Sequence, residues 1–379
     1  MASNPKKIVI ASDSFKGSLS SHQVAQCVER ALCDVYQSCE IVKVNVADGG
    51  EGTLESLSHV LGGRRIDLIV CDPLGRPCQA SYVILEDNVT AVLEMSSASG
   101  LTLLAPEERN PSKTSTIGTG ELILDALNRG CRRFLVGLGG SATNDAGMGM
   151  LHAVGYRFLD ASGRLLYPKG ESLAMVSSID AGARHPALEE AEFIVACDVK
   201  APLYGTKGSA YVYAPQKGAD AVMVEALDFG LRNFAEVSKE KMGHDCSLQD
   251  GTGAAGGLGY AFKQFLGARL EKGVDVVLDA IHFDEIIDEA DLVITGEGRI
   301  DSQTLAGKTP FGVAQRSIRK GIPVIAICGL KCLDQSQILS IGFKDVVQVT
   351  PDDMPLEEAM MPDMAAKNIY KTIIGLMSK

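Results

Sequence analysis

Several segments of this 379-residue chain combine glycine with charged or hydroxyl side chains in a way that suits the binding of anions. The first is D-S-F-K-G-S-L-S at 13–20, between a predicted strand and a predicted helix. Lys16 supplies a positive charge, Gly17 lets the backbone approach a ligand closely, and the first amides of a helix are available donors. Together with Ser14 and Ser18, the segment predicts a phosphate or other oxyanion site. The alternative is an ordinary strand–helix connection with a solvated lysine.

A second segment, A-D-G-G-E-G-T at 47–53, places two carboxylates in a glycine-rich loop after another predicted strand. Asp48 and Glu51 at the end of a parallel strand suit a hydrated magnesium ion or a general base. The alternative is a turn whose acids cap the following helix.

The third segment is V-G-L-G-G-S-A-T-N-D-A-G-M-G at 136–149. Its G-x-G-x-x-A stretch, from Gly137 to Ala142, follows a strand and has the form of a dinucleotide fingerprint. The acid near the expected offset, Asp160, lies in a D-A-S-G turn and not at the end of a second parallel strand, so we reject that interpretation. The loop still suits a phosphate cradle, with Asp145 near a metal ion. Its polar residues are Ser141, Thr143, Asn144 and Asp145.

The fourth segment, T-G-E-G-R-I-D-S-Q-T-L-A-G-K-T-P at 295–310, is expected to form one polar loop and the start of a helix. G-K-T at 307–309 is part of the P-loop pattern, but that pattern needs glycine where this chain has Ser302. The mixture of acids and cations indicates neutralisation of metal and phosphate, and a self-compensating surface loop is the alternative. Its polar residues are Glu297, Arg299, Asp301, Gln303 and Lys308.

Three weaker segments complete the set. In A-C-D-V-K-A-P-L at 196–203, Asp198 follows an apolar strand and either faces a cleft or caps a helix or turn. The run G-T-G-A-A-G-G-L-G at 251–259 either lets the backbone approach a nucleotide or forms a tightly packed helix. P-Q-K-G-A at 215–219 is interpreted as a turn with an exposed Lys217 and no function of its own.

Short apolar strands alternate with helices at both ends of the chain. The predicted strands are 7–12, 41–47, 291–295, 323–328 and 345–350. A capping box, Ser20 with Gln23, starts a helix over 20–36, and a last helix over 356–377 is expected to kink at Pro362. This alternation predicts a parallel sheet with both faces covered. The polar segments follow strand carboxyl ends, where open α/β sheets bind ligands.

The middle of the chain differs, because hairpins are predicted there. Segments 76–85 and 89–95 flank E-D-N, and segments 156–159 and 164–166 flank D-A-S-G. The fold class is therefore α/β with two domains. Residues 1–66 and 278–379 are expected to form a discontinuous Rossmann-like or flavodoxin-like parallel-sheet domain, and 67–277 an inserted mixed α/β domain.

Composition excludes several classes of protein. The chain has 36 basic and 48 acidic side chains, a net charge of -12, which disfavours nucleic acid and anionic membranes as partners. It is 46% hydrophobic without any apolar run long enough to span a membrane, so a globular, cytoplasmic protein is expected. Its 10 cysteines include no C-x-x-C pair, which favours reduced thiols, and its 6 histidines suggest no zinc site.

In this order, the segments resemble the type-1 glycerate kinase family. The matching stretches are I-A-S-D-S-F-K-G-S-L-S, V-A-D-G-G-E-G-T, G-L-G-G-S-A-T-N-D-A-G-M-G, A-C-D-V-x-x-P-L, P-Q-K-G-A, G-A-A-G-G-L-G and T-G-E-G-R-x-D-x-Q-T-x-x-G-K-x-P. They run from residue 10 to about 312. One departure is Ser12, where the family pattern has proline, and we expect it to change only the stiffness of the loop.

The resemblance implies phosphoryl transfer from ATP to D-glycerate with magnesium, giving 2- or 3-phosphoglycerate. It also implies two α/β domains with the active site in the cleft between them. A kinase of another small hydroxy acid or polyol on the same fold is the alternative function. The expected partners are the small-molecule substrates, without nucleic acid or membrane, and a homodimer is left open.

The resemblance also assigns roles to the candidate residues. Either Asp198 or Asp48 would accept the proton of the glycerate hydroxyl, and Asp48 and Glu297 are further candidates for holding magnesium. The expected catalytic residues are Lys16, Asp48, Asp198, Glu297 and Arg299. The residues expected to bind substrate or phosphate are Ser14, Ser18, Ser141, Asn144, Gln303 and Lys308. The expected metal ligands are Glu51, Asp145 and Asp301.

Overall fold

The computed structural model describes residues 5–46, 61–301, 304 and 307–378. The chain forms two compact units. The first comprises Met1–Gly49, Glu55–Val60 and Val274–Lys379, and the second comprises Gly50–Leu54 and Leu61–Gly273. The domain limits near residues 66 and 278 stay a prediction.

Strands and helices alternate through much of the described chain. The described strands are β1 (Lys7–Ser12), β2 (Glu40–Asn45), β3 (Arg64–Cys71), β4 (Pro77–Ile84), β5 (Thr90–Glu94), β6 (Arg133–Gly137), β7 (Arg157–Leu159), β8 (Ser178–Asp180), β9 (Glu192–Ala196), β10 (Arg269–Glu271), β11 (Leu292–Ile300), β12 (Val324–Lys331) and β13 (Asp345–Gln348). The described α-helices are α1 (Ser21–Val35), α2 (Ser96–Ser99), α3 (Ile117–Asn128), α4 (Met148–Ala153), α5 (Ser209–Tyr213), α6 (Ala221–Met242), α7 (Ala254–Leu266), α8 (Gly273–Ala280), α9 (Phe283–Ile286), α10 (Thr309–Arg319), α11 (Gln335–Ile341), α12 (Leu356–Ala359) and α13 (Pro362–Met377). Short 3-10 turns lie at Leu101–Leu103, Pro106–Glu108, Gly170–Met175, Pro186–Glu189 and Pro215–Lys217.

The first unit is built on a sheet of order β13-β12-β11-β1-β2, in which every neighbouring pair is parallel. Ile8 and Ile10 of β1 pack in one core with α1 and α13. Because side chains alternate along a strand, the equally buried Val9 belongs to the other face, and α10 contacts β1, β11 and β12. The predicted parallel sheet is confirmed.

The helix boundaries in this unit follow local chemistry. The predicted capping box is present, since Ser20 Oγ accepts from Gln23 N at 3.2 Å and Gln23 Oε1 accepts from Ser20 N at 2.9 Å. The prediction of one kinked helix over 356–377 is wrong. Helix α12 ends at Ala359, and Pro362 begins α13. At a first helical position the missing N–H of proline breaks no helical hydrogen bond.

The prediction that a loop begins at residue 296 is also wrong. Strand β11 continues to Ile300 and stays paired with β12, so that Glu297 lies opposite Cys328 and Arg299 opposite Leu330. The pairing uses backbone groups, which polar side chains do not interrupt. Gly296 fits this ladder closely, because a Cβ there would lie 2.5 Å from the carbonyl oxygen of Ile327. The polar residues at 297–299 therefore stand on a rigid strand.

The second unit contains a mixed sheet of order β10-β9-β6-β5-β4-β3. Strands β3, β4 and β5 are antiparallel, while β5, β6, β9 and β10 are parallel. The hairpin predicted around E-D-N is confirmed by β4 and β5. The one predicted around D-A-S-G is confirmed as a short hairpin. Leu166 N donates to the carbonyl of Phe158 and Asp160 N to that of Arg164, each at 2.9 Å, on either side of an antiparallel bridge between Leu159 and Leu165, and β7 also pairs with β8. Phe134 and Phe193 stack in the core with ring centroids 4.7 Å apart.

The 10 cysteines are free thiols. Within the part of the chain that is described, no helix combines the length and apolar character needed to cross a membrane.

Candidate active site

A cavity of about 580 Å³ lies in the first unit at the carboxyl ends of β1, β11, β12 and β13. The chain leaves the neighbouring strands β1 and β11 toward opposite edges of the sheet, which is the position where open parallel sheets bind ligands. The charged residues that line the cavity are Asp13, Lys16, Glu297, Arg299, Lys308 and Asp352. The sheet therefore gathers residues from both ends of the chain around one cavity.

The loop after β1 is held by hydrogen bonds within the loop and by one to β11. Asp13 N donates to the carbonyl of Gly296 at 2.9 Å, and the buried Asp13 side chain accepts from Ser14 N at 2.6 Å. Phe15 and Leu19 exchange two backbone hydrogen bonds of 2.8 and 3.0 Å. This closes a tight loop that leaves Lys16 exposed at its tip and lining the cavity. The sequence interpretation missed Asp13, although it is the first carboxylate after β1.

Glu297 is the most buried of the described predicted carboxylates in this unit, with 6% of its surface exposed. One oxygen accepts from Thr304 Oγ1 at 2.5 Å, and the other lies 3.4 Å from Lys308 Nζ. Burial raises the pKa of Glu297, while Thr304 and Lys308 oppose that rise. Lys308 is held in reach because it is the residue immediately before the first turn of α10. The pair places a negative and a positive charge side by side at the cavity wall.

Other predicted residues of the first unit are less central. Arg299 lines the cavity and pairs with Asp301 at 3.2 Å, and Asp301 is not among the lining residues. The predicted residues Asp48, Glu51 and Gln303 lie outside the described part of the chain. Within the described residues there is no group of three or more histidine, cysteine or acidic side chains arranged to hold a metal ion.

Apolar side chains form much of the remaining cavity wall. They come from the loop after β1 and from the segment that runs from the end of β13 into α13, and no sequence motif pointed to the latter. These residues are Phe15, Val349, Met354, Leu356, Met360 and Ala365. A cavity with both charged and apolar walls suits a ligand that has charged and apolar parts.

In the second unit, the glycine-rich segment after β6 is anchored by Asp145. This fully buried carboxylate accepts four hydrogen bonds, from Thr116 N and Thr116 Oγ1 at 2.8 Å and from Gly147 N and Gly149 N at 3.1 Å. Burial raises the pKa of Asp145, and these donors oppose the rise. Its oxygen atoms are already engaged by the protein, which favours a structural role. The predicted metal role of Asp145 stays a prediction.

The interpretation of Lys217 as an exposed residue is wrong. Lys217 follows α5 in the turn Pro215–Lys217, and its side chain runs inward, leaving 6% of the residue exposed. Its Nζ donates to Ser141 Oγ at 2.6 Å and to the carbonyl of Thr143 at 2.7 Å. No sequence pattern signals this burial, because lysine in a glycine- and proline-bounded turn is normally solvated.

Asp198 lies just after β9 and is exposed. Its Oδ1 accepts from Gly273 N, the first residue of α8, at 3.0 Å. The carboxylate thus caps a helix start, which was one of the two predicted alternatives. Its role as a proton acceptor stays a prediction.

The glycine run at 251–259 packs against the protein's own backbone. Ala255, Gly256 and Gly257 adopt left-handed conformations inside α7. A Cβ at Gly256 would lie 1.9 Å from the carbonyl oxygen of Thr143, the same carbonyl that accepts from Lys217. The close packing favours the tightly packed alternative over approach to a nucleotide.

We expect Gly256→Ala to lower the free energy of unfolding by about 3 kcal/mol or more, because the new Cβ meets a carbonyl as well as an unfavourable φ. The matched control is Gly267→Ala, where φ is +64° and nothing lies within 4 Å of the added Cβ. The control should lose only about 1 kcal/mol from backbone strain. Urea unfolding of both variants measures the difference. Equal losses in the two would contradict the close contact.

Comparison with known proteins identifies the family. The model of the glycerate kinase family matches residues 8–378. The chain belongs to the glycerate kinase family. It is 46% identical over 366 residues to a glycerate kinase of Bacillus subtilis (strain 168), covering 97% of this chain and 95% of that one. It is 43% identical over 376 residues to glycerate 2-kinase of Escherichia coli (strain K12), covering 98% and 99% of the two chains.

A solved structure agrees with this assignment. A structure described as a glycerate kinase 2 from Salmonella typhimurium LT2 superposes with a TM-score of 0.88 at 40% sequence identity, covering 99% of this chain and 98% of that one. Membership of the glycerate kinase family thus rests on sequence and on fold. Enzymes of this family are phosphotransferases with an alcohol group as acceptor.

Proposed function

We propose that this chain is a glycerate kinase that transfers the γ-phosphoryl group of ATP to D-glycerate with the help of Mg²⁺. Family membership supports the reaction class. The main structural support for this proposal is the cavity of about 580 Å³, which has Lys16, Glu297 and Lys308 on its wall. Its volume lies in the range of small-molecule and cofactor sites.

The charges on the cavity wall fit phosphoryl transfer. This reaction needs little covalent chemistry from the protein, and mostly needs positioning and neutralisation of charge on the phosphoryl oxygens. Lys16 at the loop tip, Arg299 on β11 and Lys308 at the start of α10 are the cations that line the cavity and that we assign to this task. These roles, and those of Ser14 and Ser18 in the same loop, are proposals.

The carboxylates of the cavity fit a magnesium ion that keeps most of its water. Mg²⁺ in kinase sites is held by one or two carboxylates together with substrate phosphates. Glu297 and Asp13 both line the cavity and are the described residues that would hold it. When bound, the ion would supply neutralisation of phosphate charge, and Lys308 keeps the Glu297 carboxylate oriented on the cavity wall.

Phosphorus NMR of the product, with ATP and D-glycerate as substrates, tests the proposal directly. We expect a new phosphomonoester resonance that depends on both substrates, and its coupling pattern will show whether the C2 or the C3 hydroxyl carries the phosphate. Parallel ADP-release assays with lactate, tartronate and glycerol compare other acceptors. Faster turnover of one of these than of D-glycerate would instead establish the alternative, a kinase of another small hydroxy acid or polyol.

Two further assignments belong to the proposal. A cytoplasmic location is supported by the free thiols and by the family's substrates, which are expected to be small metabolites. The sequence leaves a homodimer open, and sedimentation equilibrium of the purified protein measures the oligomeric state.

A further inference from the structure

Lys217, a buried lysine of the second unit, has no part in the function proposed above. The Lys217 ammonium donates to two neutral oxygen atoms, Ser141 Oγ and the carbonyl of Thr143. Burying an ammonium costs free energy that neutral acceptors offset only in part. Asp145 is the acid whose charge acts on Lys217, and the oxygens of that carboxylate already accept four hydrogen bonds from other donors.

The hydrogen bond from Lys217 determines what Ser141 can do. Since Nζ donates into Ser141 Oγ, the hydroxyl proton must point away from the lysine. Ser141 is half-buried, on the segment that follows the exposed Gly139 and Gly140, so its hydroxyl can donate outward. A donor backed by a positive charge makes stronger hydrogen bonds to an anion than an isolated hydroxyl does.

Neighbouring buried polar groups also lack hydrogen-bond partners. Asn144 is fully buried, and its side-chain oxygen and nitrogen have no hydrogen-bond partner among the described residues, and the same holds for Thr143 Oγ1. Buried polar atoms normally have partners, so such a group next to a buried cation points to a ligand or water that completes it. The Asp145 anchor and the close contact with Gly256 hold this segment rigid.

We propose that Ser141, backed by Lys217, is an oxyanion site of the second unit. In it the Ser141 hydroxyl donates to a carboxylate or phosphate oxygen of a substrate, while Lys217 supplies the compensating charge. The inference rests on the proposed function, because the anion is taken to be a kinase substrate. Two sources share this chemistry, the carboxylate of D-glycerate and a phosphate of the nucleotide.

The site predicts a dependence of anion affinity on pH. Burial lowers the pKa of Lys217 to about 7, and Asp145 opposes the shift. Arg109 is a second cation close to Lys217 along the fold. Its backbone carbonyl packs against Gly218, the residue that follows Lys217. Only the ammonium form of Lys217 attracts an anion, so the affinity for the anion should fall as the pH rises above about 7. A bound anion should move the midpoint of this loss to a higher pH.

The test compares Lys217→Met and Ser141→Ala with the wild type and with Lys113→Met, an exposed lysine of the same unit. Calorimetry measures binding of D-glycerate and, separately, of ADP at pH 6 to 9, and steady-state assays give KM for each substrate. We expect Lys217→Met to weaken one of the two ligands by about 10- to 100-fold and to abolish its pH dependence. Ser141→Ala should weaken the same ligand by roughly 10-fold. The ligand affected identifies the source of the anion.

The outcomes separate this site from the proposed function. If both ligands bind Ser141→Ala as tightly as the wild type, with the same pH dependence, the oxyanion site is overturned and Lys217 is a structural support of the segment. This variant keeps the lysine, so it guards against a Lys217→Met protein that fails to fold. If wild-type protein binds D-glycerate or ADP but does not transfer phosphate, the proposed function fails while the binding comparison still decides the site.

Discussion

Glu297→Gln is expected to lower kcat of the kinase reaction by about 10²- to 10³-fold while leaving the protein folded. Glutamine keeps the shape of the side chain and can still accept from Thr304 Oγ1. It removes the negative charge that pairs with Lys308 at 3.4 Å and that would hold the metal ion. The interactions lost are those expected to matter most when charge develops on the transferred group.

The direction of the change in stability caused by Glu297→Gln follows from the pKa of Glu297. Burial raises the pKa of Glu297, so its charged form is penalised in the fold relative to the unfolded chain. That penalty is absent at low pH and appears as the pH rises from the unfolded pKa through the raised folded pKa. At neutral pH the penalty is present, and glutamine removes it. Glu297→Gln should therefore melt no lower than the wild type, as is common when a residue serves activity at the expense of stability.

Steady-state kinetics with ATP and D-glycerate, together with thermal melting, measure both effects. Glu285→Gln is the matched control, because Glu285 is an exposed glutamate of the same unit. We expect wild-type kinetics from the control. Wild-type kcat in a folded Glu297→Gln protein would show that the chemistry does not depend on this cavity wall.

The second large effect concerns stability. Asp145→Ala should lower the free energy of unfolding by about 3–5 kcal/mol, because it leaves buried donors of Thr116, Gly147 and Gly149 without an acceptor. Each unsatisfied buried group costs about 1–3 kcal/mol. The loss is smaller than the sum, since the burial that raises the pKa of Asp145 is a cost that alanine no longer bears.

Urea denaturation of Asp145→Ala measures this loss, with Asp180→Ala as control. Asp180 is exposed and accepts a single backbone hydrogen bond, from Gly182 N at 2.8 Å. The control should lose roughly 1 kcal/mol or less. A loss from Asp145→Ala as small as that of the control would mean that the carboxylate does not anchor its segment, and it would strengthen the predicted metal role.

Some features of the site follow directly from sequence patterns. Apolar strands alternating with helices predicted the parallel sheet of the first unit, and the polar segments near the ends of those strands predicted ligand binding at the strand carboxyl ends, where Lys16 and Glu297 are found to line one cavity. The reason is general, because parallel strands present their carboxyl ends at the same edge of a sheet. The E-D-N turn likewise identified the β4–β5 pair.

Other features depend on contacts that local patterns do not contain. Strand β11 runs past the polar residues Glu297 and Arg299 because its backbone pairs with β12, far along the chain. Lys217 is buried because Ser141 and Thr143, more than seventy residues earlier, supply acceptors for its ammonium. Hydropathy predicts that such a lysine is exposed to solvent. Only the tertiary structure provides the hydrogen-bond partners that allow it to be buried.

The pairing of β1 with β11 has a consequence for the order in which the protein forms during synthesis. The hydroxyl of Ser12 on β1 donates to the carbonyl of Gly296 on β11, 284 residues later. At about 5–20 residues per second, roughly 15–60 s pass on the ribosome between the two strands. During that time β1 can pair with β2 on one edge. The backbone donors and acceptors on its other edge stay unpaired. The nascent chain therefore carries the β1 edge open, next to the loop that supplies part of the cavity wall, until β11 has been translated.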